Sequence, residues 1–347
     1  MKSNALQELR AVLFVMVLAF HCHLPNIEFF WAGVEVFFFL SGYFIFKKLL
    51  EHKEKSLKDM VIGRIKILYT PLYIFAYVSM NIVLMSLMGE FILRKLLYYV
   101  FCLQNYGAYD LLLDDNSVNI HTWTVAVEVQ MIIVICLITF IFDKLKIKRE
   151  AVVYSLAAIS IAYGFVSYFV LHNYAMYSES FVAHAFCFAL GGFSYMRTRD
   201  NKKVSEDVGM LVLGVVLMVY VLFRMSGFLD CTMLQALHKM DSSNVHLEYG
   251  LFMILIYPAL AIIGSGITGL LMRVPNEKCN LKPLISMGDH SYSLYIAHFP
   301  LVSGLFMVTS NVWIVFAGSF VMTVLVAYGY DWLYGAVKKR KNLKRNN

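Results

Sequence analysis

Residues Leu9–Phe44 read LRAVLFVMVLAFHCHLPNIEFFWAGVEVFFFLSGYF. Two apolar runs flank a short turn at Pro25, and each is long enough for a helix of about 20 residues that crosses a bilayer. The same stretch keeps three ionisable side chains: Arg10, His21 and Glu35. Arg10 and His21 stand eleven residues apart, which is about 17 Å along a helix rising roughly 1.5 Å per residue. Glu35 enters the second run at about the depth where His21 leaves the first. An ionisable group in hydrocarbon costs about 3 kcal/mol or more, so such residues face a cavity, pair with one another or do chemistry. Three in one hairpin mark a functional site.

The composition extends the reading to the whole chain. Of 347 residues, 60% are hydrophobic and 15% charged, with mean hydropathy +0.66. Soluble domains rarely exceed about half apolar residues. The runs are continuous, unlike the alternating ten-residue segments of an outer-membrane barrel. The expected fold is an all-α integral membrane protein. The net charge of +7 does not point to nucleic acid, because the basic residues fall in short loops on alternate sides of the spans. The six cysteines are scattered without CxxC or Cys/His ligand spacing, so neither a metal site nor a disulfide framework is expected. The N-terminus lacks the pattern of a cleaved signal peptide.

The hydropathy pattern predicts a bundle of about ten transmembrane helices, near 8–24, 31–50, 69–89, 122–142, 151–171, 181–196, 207–224, 249–272, 287–309 and 312–335. Lys and Arg crowd the segments 47–68, 143–150, 197–206, 273–284 and 336–347, whereas the opposite loops hold few. By the positive-inside rule both termini are cytoplasmic. Residues 1–335 form one transmembrane domain, and 336–347 a basic cytoplasmic tail suited to anionic headgroups.

This orientation gives the polar groups a depth. His21, Glu35 and the stretch His121–Glu128 fall in the outer half of the bilayer, and Arg10, Arg64 and Lys66 at the inner surface. A cationic end facing the cytoplasm and an acid–base end facing outward suit an anionic cytoplasmic donor and an acceptor beyond the membrane. An imidazole titrates near neutrality, as a general base for a hydroxyl requires, and Glu35 or Glu128 is placed to orient His21. Arg10, Arg64 and Lys66 match phosphate recognition. Each has a structural alternative: His21 as a hydrogen-bonded helix residue, the basic groups as interfacial anchors. Ser41 and Gly42 suit close helix packing or a backbone approach to a ligand. In HTWTVAVE, His121 and Trp123 lie at the mouth of the fourth span and Glu128 nearly two turns inside it. In SYSLYIAH, Ser291, Tyr295 and His298 recur at spacings that share one helix face, as channel lining or as a polar seam between helices.

Four of these segments in order, LRAVLFVMVLAFH, GVEVFFFLSGYFI, HTWTVAVE and SMGDHSYSLYIAHFPL, make the chain resemble the membrane acyltransferase family 3, the O-antigen, Nod-factor and peptidoglycan O-acetylases. The resemblance implies transfer of an acyl group, usually acetyl, from cytoplasmic acyl-CoA to a carbohydrate hydroxyl outside a bacterial inner membrane. Acetyl-CoA is then a co-substrate, with no permanently bound cofactor. It also implies that His21 and Arg10 are the essential pair of the first helix and that Glu128 is the acid of a W-S-L-x-x-E pattern. Glu35 stands where relatives usually have Asp, Thr124-Val125 replaces Ser-Leu, and Leu68 occupies a position often taken by Arg. The competing expectation is a transporter or flippase for a glycan or lipid-linked sugar. No inverted repeat with broken helices in matching halves supports it.

Overall fold

A computed structural model describes residues 3–51, 56–68, 70–76, 78–79, 99–105, 120–170, 180–200, 203–228, 230–233, 235–236 and 250–346. Every regular element among them is helical. In chain order these are α1 (Asn4–His21), α2 (Gly33–Glu51), α3 (Leu57–Leu68), α4 (Trp123–Lys144), α5 (Ala151–Phe169) and α6 (Phe181–Arg199). There follow α7 (Val204–Phe228), α8 (Gly250–Leu271), α9 (Lys282–Asp289), α10 (Ser291–Phe306) and α11 (Val312–Asn346). Short 3-10 turns at Glu28–Ala32 and Ile120–Thr122 lead into α2 and α4.

Seven helical stretches among the described residues are long and apolar enough to cross a membrane: Asn4–His21, Phe29–Glu51, Trp123–Lys144, Ala151–Phe169, Val204–Gly227, Ile254–Leu271 and Val312–Ala336. The other three expected spans differ for separate reasons. The 69–89 span lies largely outside the described residues, although 71–76 is helical. The 181–196 span is the helix α6, which carries His184, Ser194 and Arg197 and is therefore less apolar. The 287–309 span is two helices, because the chain turns at His290, which caps both α9 and α10. α3 was expected as part of a connecting loop; its apolar Met60, Ile62, Ile65 and Leu68 drive it against α4 instead.

Residue contacts group the chain into two compact units. One comprises Met1–Ile27, Thr70–Phe91 and Pro275–Asn347, the other Glu28–Tyr69 and Ile92–Val274. In the first, Ser3 caps α1 by accepting from the Leu6 amide at 3.4 Å, and His23 and Asn26 take left-handed conformations just past its end (φ 53° and 63°). α1 packs on α9 and α10, and α10 on α11. The approach of α9 is close: a Cβ on Gly288 would stand 2.0 Å from the Gln7 carbonyl oxygen.

In the second unit α2 lies against α6, which also meets α5 and α8, while α7 pairs with α8 and α3 with α4. Gly42 and Gly191 set the α2–α6 distance, since a Cβ on either would meet the other helix's backbone at 2.2 Å or 2.1 Å. Asp207 at the start of α7 ties three helices together, accepting from Arg197 of α6 at 3.4 Å and from Arg273 just beyond α8 at 2.9 Å. Phe165, Phe169, Val212, Val216 and Phe223 are exposed on α5 and α7, as lipid-facing residues are.

Candidate functional site

In the first unit, His21 closes α1 and sets its ring 5.2 Å from that of His298 on α10. Phe299 meets His21 edge-on at 4.9 Å, Phe20 at 5.2 Å, and Phe14 meets His298 edge-on at 6.1 Å. The Nδ1 of His298 lies 2.5 Å from the Tyr295 carbonyl oxygen. A carbonyl only accepts, so Nδ1 carries the proton and Nε2 the lone pair. His298 is fully buried. Ser291 is buried as well, and Tyr295 is half-buried, so the expected shared face of α10 turns inward.

Arg10 is half-buried one turn beyond Gln7. With its amide oriented to satisfy both groups, Gln7 donates to the Asp289 carboxylate and the Gly288 carbonyl at 3.1 Å. Beside this, Asp331 of α11 bonds His290 through Nδ1 and accepts from the Ser293 hydroxyl at 2.8 Å. The Tyr328 ring lies tilted against that of His290, 4.3 Å between centroids, and its hydroxyl donates to Ser286 at 2.8 Å.

The second unit contains two acid centres on α2 and α4. Glu35, in the first turn of α2, has its carboxylate oxygens 2.9 Å and 3.1 Å from His184 Nδ1 of α6. The Cys187 thiol, one turn further along α6, donates to the same carboxylate at 3.1 Å. Both side chains of the Glu35–His184 pair are 1% exposed. The rings of Phe38, Trp123 and Tyr257 enclose the imidazole at 4.9–5.0 Å.

The other centre is Glu128. It accepts from the Ser41 hydroxyl of α2 and forms an ion pair with Arg64 of α3 at 2.5 Å. The Arg64 Nε is buried without a hydrogen-bond partner among the described residues. Glu128 lies about 8 Å from the first residue of α4, itself about 33 Å long. Arg64 and Glu128, expected at opposite faces of the bilayer, thus lie at one level. Lys66 on the same helix is exposed, and His121 is buried at the entrance to α4.

Thus, within the units, the structure joins Glu128 with Ser41 and Arg64, and His21 with His298. It gives each carboxylate expected beside His21 a partner of its own. His184 and Asp331 were not foreseen. The signal for Asp331 was an acid inside the apolar run 312–335; His184 stood in an apolar run with no carboxylate near in sequence.

The acyltransferase domain of family 3 matches the chain over residues 4–332. The chain belongs to this family. No curated protein and no solved structure matches it. It is a multi-pass membrane acyltransferase.

Proposed function

We propose that this acyltransferase moves an acetyl group from acetyl-CoA at the cytoplasmic face of a bacterial inner membrane to a hydroxyl of an extracytoplasmic carbohydrate. The observation that carries this reading is the family match across nearly the whole chain, including the helix that places His21 against a second imidazole. In the reaction the hydroxyl oxygen bonds the acyl carbon, the carbon–sulfur bond breaks, the hydroxyl proton leaves and the departing thiolate gains one. His21 is a proton-transfer residue for this exchange. The coenzyme's phosphates call for cationic donors, and Arg10, Arg64 and Lys66 fill that role. Arg64 can pair with Glu128 and still offer Nε to an anion.

The test is transfer of label from radiolabelled acetyl-CoA to envelope glycan by the purified protein in lipid nanodiscs, with mass spectrometry of the product. Proton transfer is worth about 10²–10⁴ in rate. His21→Ala should therefore stay folded, bind the coenzyme and lose label transfer by that factor. Undiminished transfer would remove His21 from the chemistry, and no transfer by the unaltered protein would refute the acyl-transfer reading.

A further inference from the structure

A hydroxyl inside a helix ordinarily turns back on its own backbone, as Thr139 does on the Ile135 carbonyl at 2.7 Å and Ser319 on the Val315 carbonyl at 2.6 Å. Ser41, in the middle of α2, donates instead to the Glu128 carboxylate of α4. Arg64 of α3 spans the pair: one guanidinium nitrogen lies 2.5 Å from the other carboxylate oxygen and 3.5 Å from the serine oxygen. All three side chains belong to one compact unit. A hydroxyl bonded to a base whose orientation a third group fixes is the arrangement that activates a serine nucleophile. The site also has a donor to spare. Arg64 Nε is buried without a hydrogen-bond partner among the described residues, and an acyl oxygen becomes an anion when the serine oxygen adds to its carbon. The Glu35–His184 pair is sealed at 1% exposed, whereas the side chains of Glu128 and Arg64 are 16% and 28% exposed and Ser41 is half-buried. This group is open to a substrate.

We infer that Ser41 is a covalent relay for the acyl group, with Glu128 as its base. This deepens the acyl-transfer reading and rests on its thioester donor. A carboxylate is a weak base for an alcohol, so the proton moves only as the new carbon–oxygen bond forms. In the first half-reaction Oγ bonds the acyl carbon while its proton passes to Glu128. The carbon–sulfur bond breaks, and the thiolate leaves with that proton as coenzyme A. The acyl group is then an ester on Ser41, and Glu128 is a carboxylate again. In the second half-reaction the acceptor oxygen bonds the same carbon, the bond to Oγ breaks, and the acceptor's proton ends on Oγ. Donor and acceptor thus meet the site in turn and not together, which suits substrates on opposite sides of a membrane.

The first half-reaction needs no acceptor, and that separates it from direct transfer. The purified protein in lipid nanodiscs, given acetyl-CoA, radiolabelled coenzyme A and no glycan, should exchange label into acetyl-CoA. Acid quenching should leave one acetyl group on the peptide that carries Ser41, read by mass spectrometry, which a packing role alone would not do. Ser41→Ala should lose both signals, and Glu128→Gln should slow the exchange by about 10²–10⁴. A protein that labels glycan but neither exchanges nor carries acetyl on Ser41 overturns the inference. Exchange without label on glycan supports the relay and refutes only the carbohydrate acceptor. Neither exchange nor transfer refutes both. Should Ser41→Ala fail to fold, Ser41→Cys decides. An acetyl thioester at position 41, released by neutral hydroxylamine, is expected, and its absence in a variant that still exchanges overturns the inference.

Discussion

Glu128 stands in an apolar run with no basic residue near it in sequence, and the fold brings it one from 64 positions away. That a carboxylate in such a run needs a partner follows from desolvation cost; which partner it takes depends on the path of α3. His21 was legible for the same reason, as a polar residue that a lipid-facing helix would not keep. His184 was not, because one histidine in an apolar helix looks the same whether a carboxylate on another helix meets it or not. The ion pair itself can be tested. Removing one partner strands the other charge, whereas apolar replacement of both removes the desolvation cost too. Arg64→Ala and Glu128→Ala should each lose about 2–3 kcal/mol, and Arg64→Met combined with Glu128→Leu should recover most of it. If the double variant is no more stable than the singles in thermal unfolding, the bond does not hold α3 to α4. Acyl transfer should remain low in the double variant, since restored packing supplies no charge.

At the scale of elements, hydropathy found the long apolar helices and misread those whose interiors are polar. α3 lies in a basic segment, and counting its lysines hid its apolar side. The expected 287–309 span takes in the end of α9 with α10, and Gly288 and Asp289 just before His290 are the residues in it that signal the turn. Close packing was partly legible: Ser41-Gly42 suggested a tight contact, and the contact is Gly42 against the Phe188 backbone of α6. Two glycines of the same unit therefore make a controlled comparison. In Gly42→Ala the new methyl stands 2.2 Å from a backbone oxygen, so α2 and α6 must separate, at a cost of about 3 kcal/mol or more by overpacking. A methyl added at Gly63 on α3 meets nothing within 4 Å, so Gly63→Ala should gain up to about 1 kcal/mol of helix propensity. Equal melting temperatures for the two variants would contradict the close approach of α2 and α6.

For the whole molecule, the parity of the crossings links charge to topology. The distribution of basic residues predicts both termini on the cytoplasmic side, an expectation that calls for an even number of crossings. α6 can be tested within that expectation, because α5 and α6 together join two basic segments. The loop between α4 and α5 carries Lys146, Lys148 and Arg149, and the chain just before α7 carries Lys203. These share a side only if α5 and α6 both cross. The 19 residues of α6 reach about 28 Å against a hydrocarbon core of about 30 Å, enough with slight bilayer thinning. Its buried residues pack on α2, α5 and α8, so its polar side chains are shielded from lipid, and low hydropathy does not prevent a crossing. Ile147 and Lys203 are exposed, and four of the six cysteines are buried. With Cys231 and Cys279 changed to serine, Ile147→Cys and Lys203→Cys should both resist an impermeant maleimide in intact cells and both react in inverted vesicles. Labelling of the two from opposite faces would make α6 a helix that does not cross, and would separate the basic segments that the orientation places together.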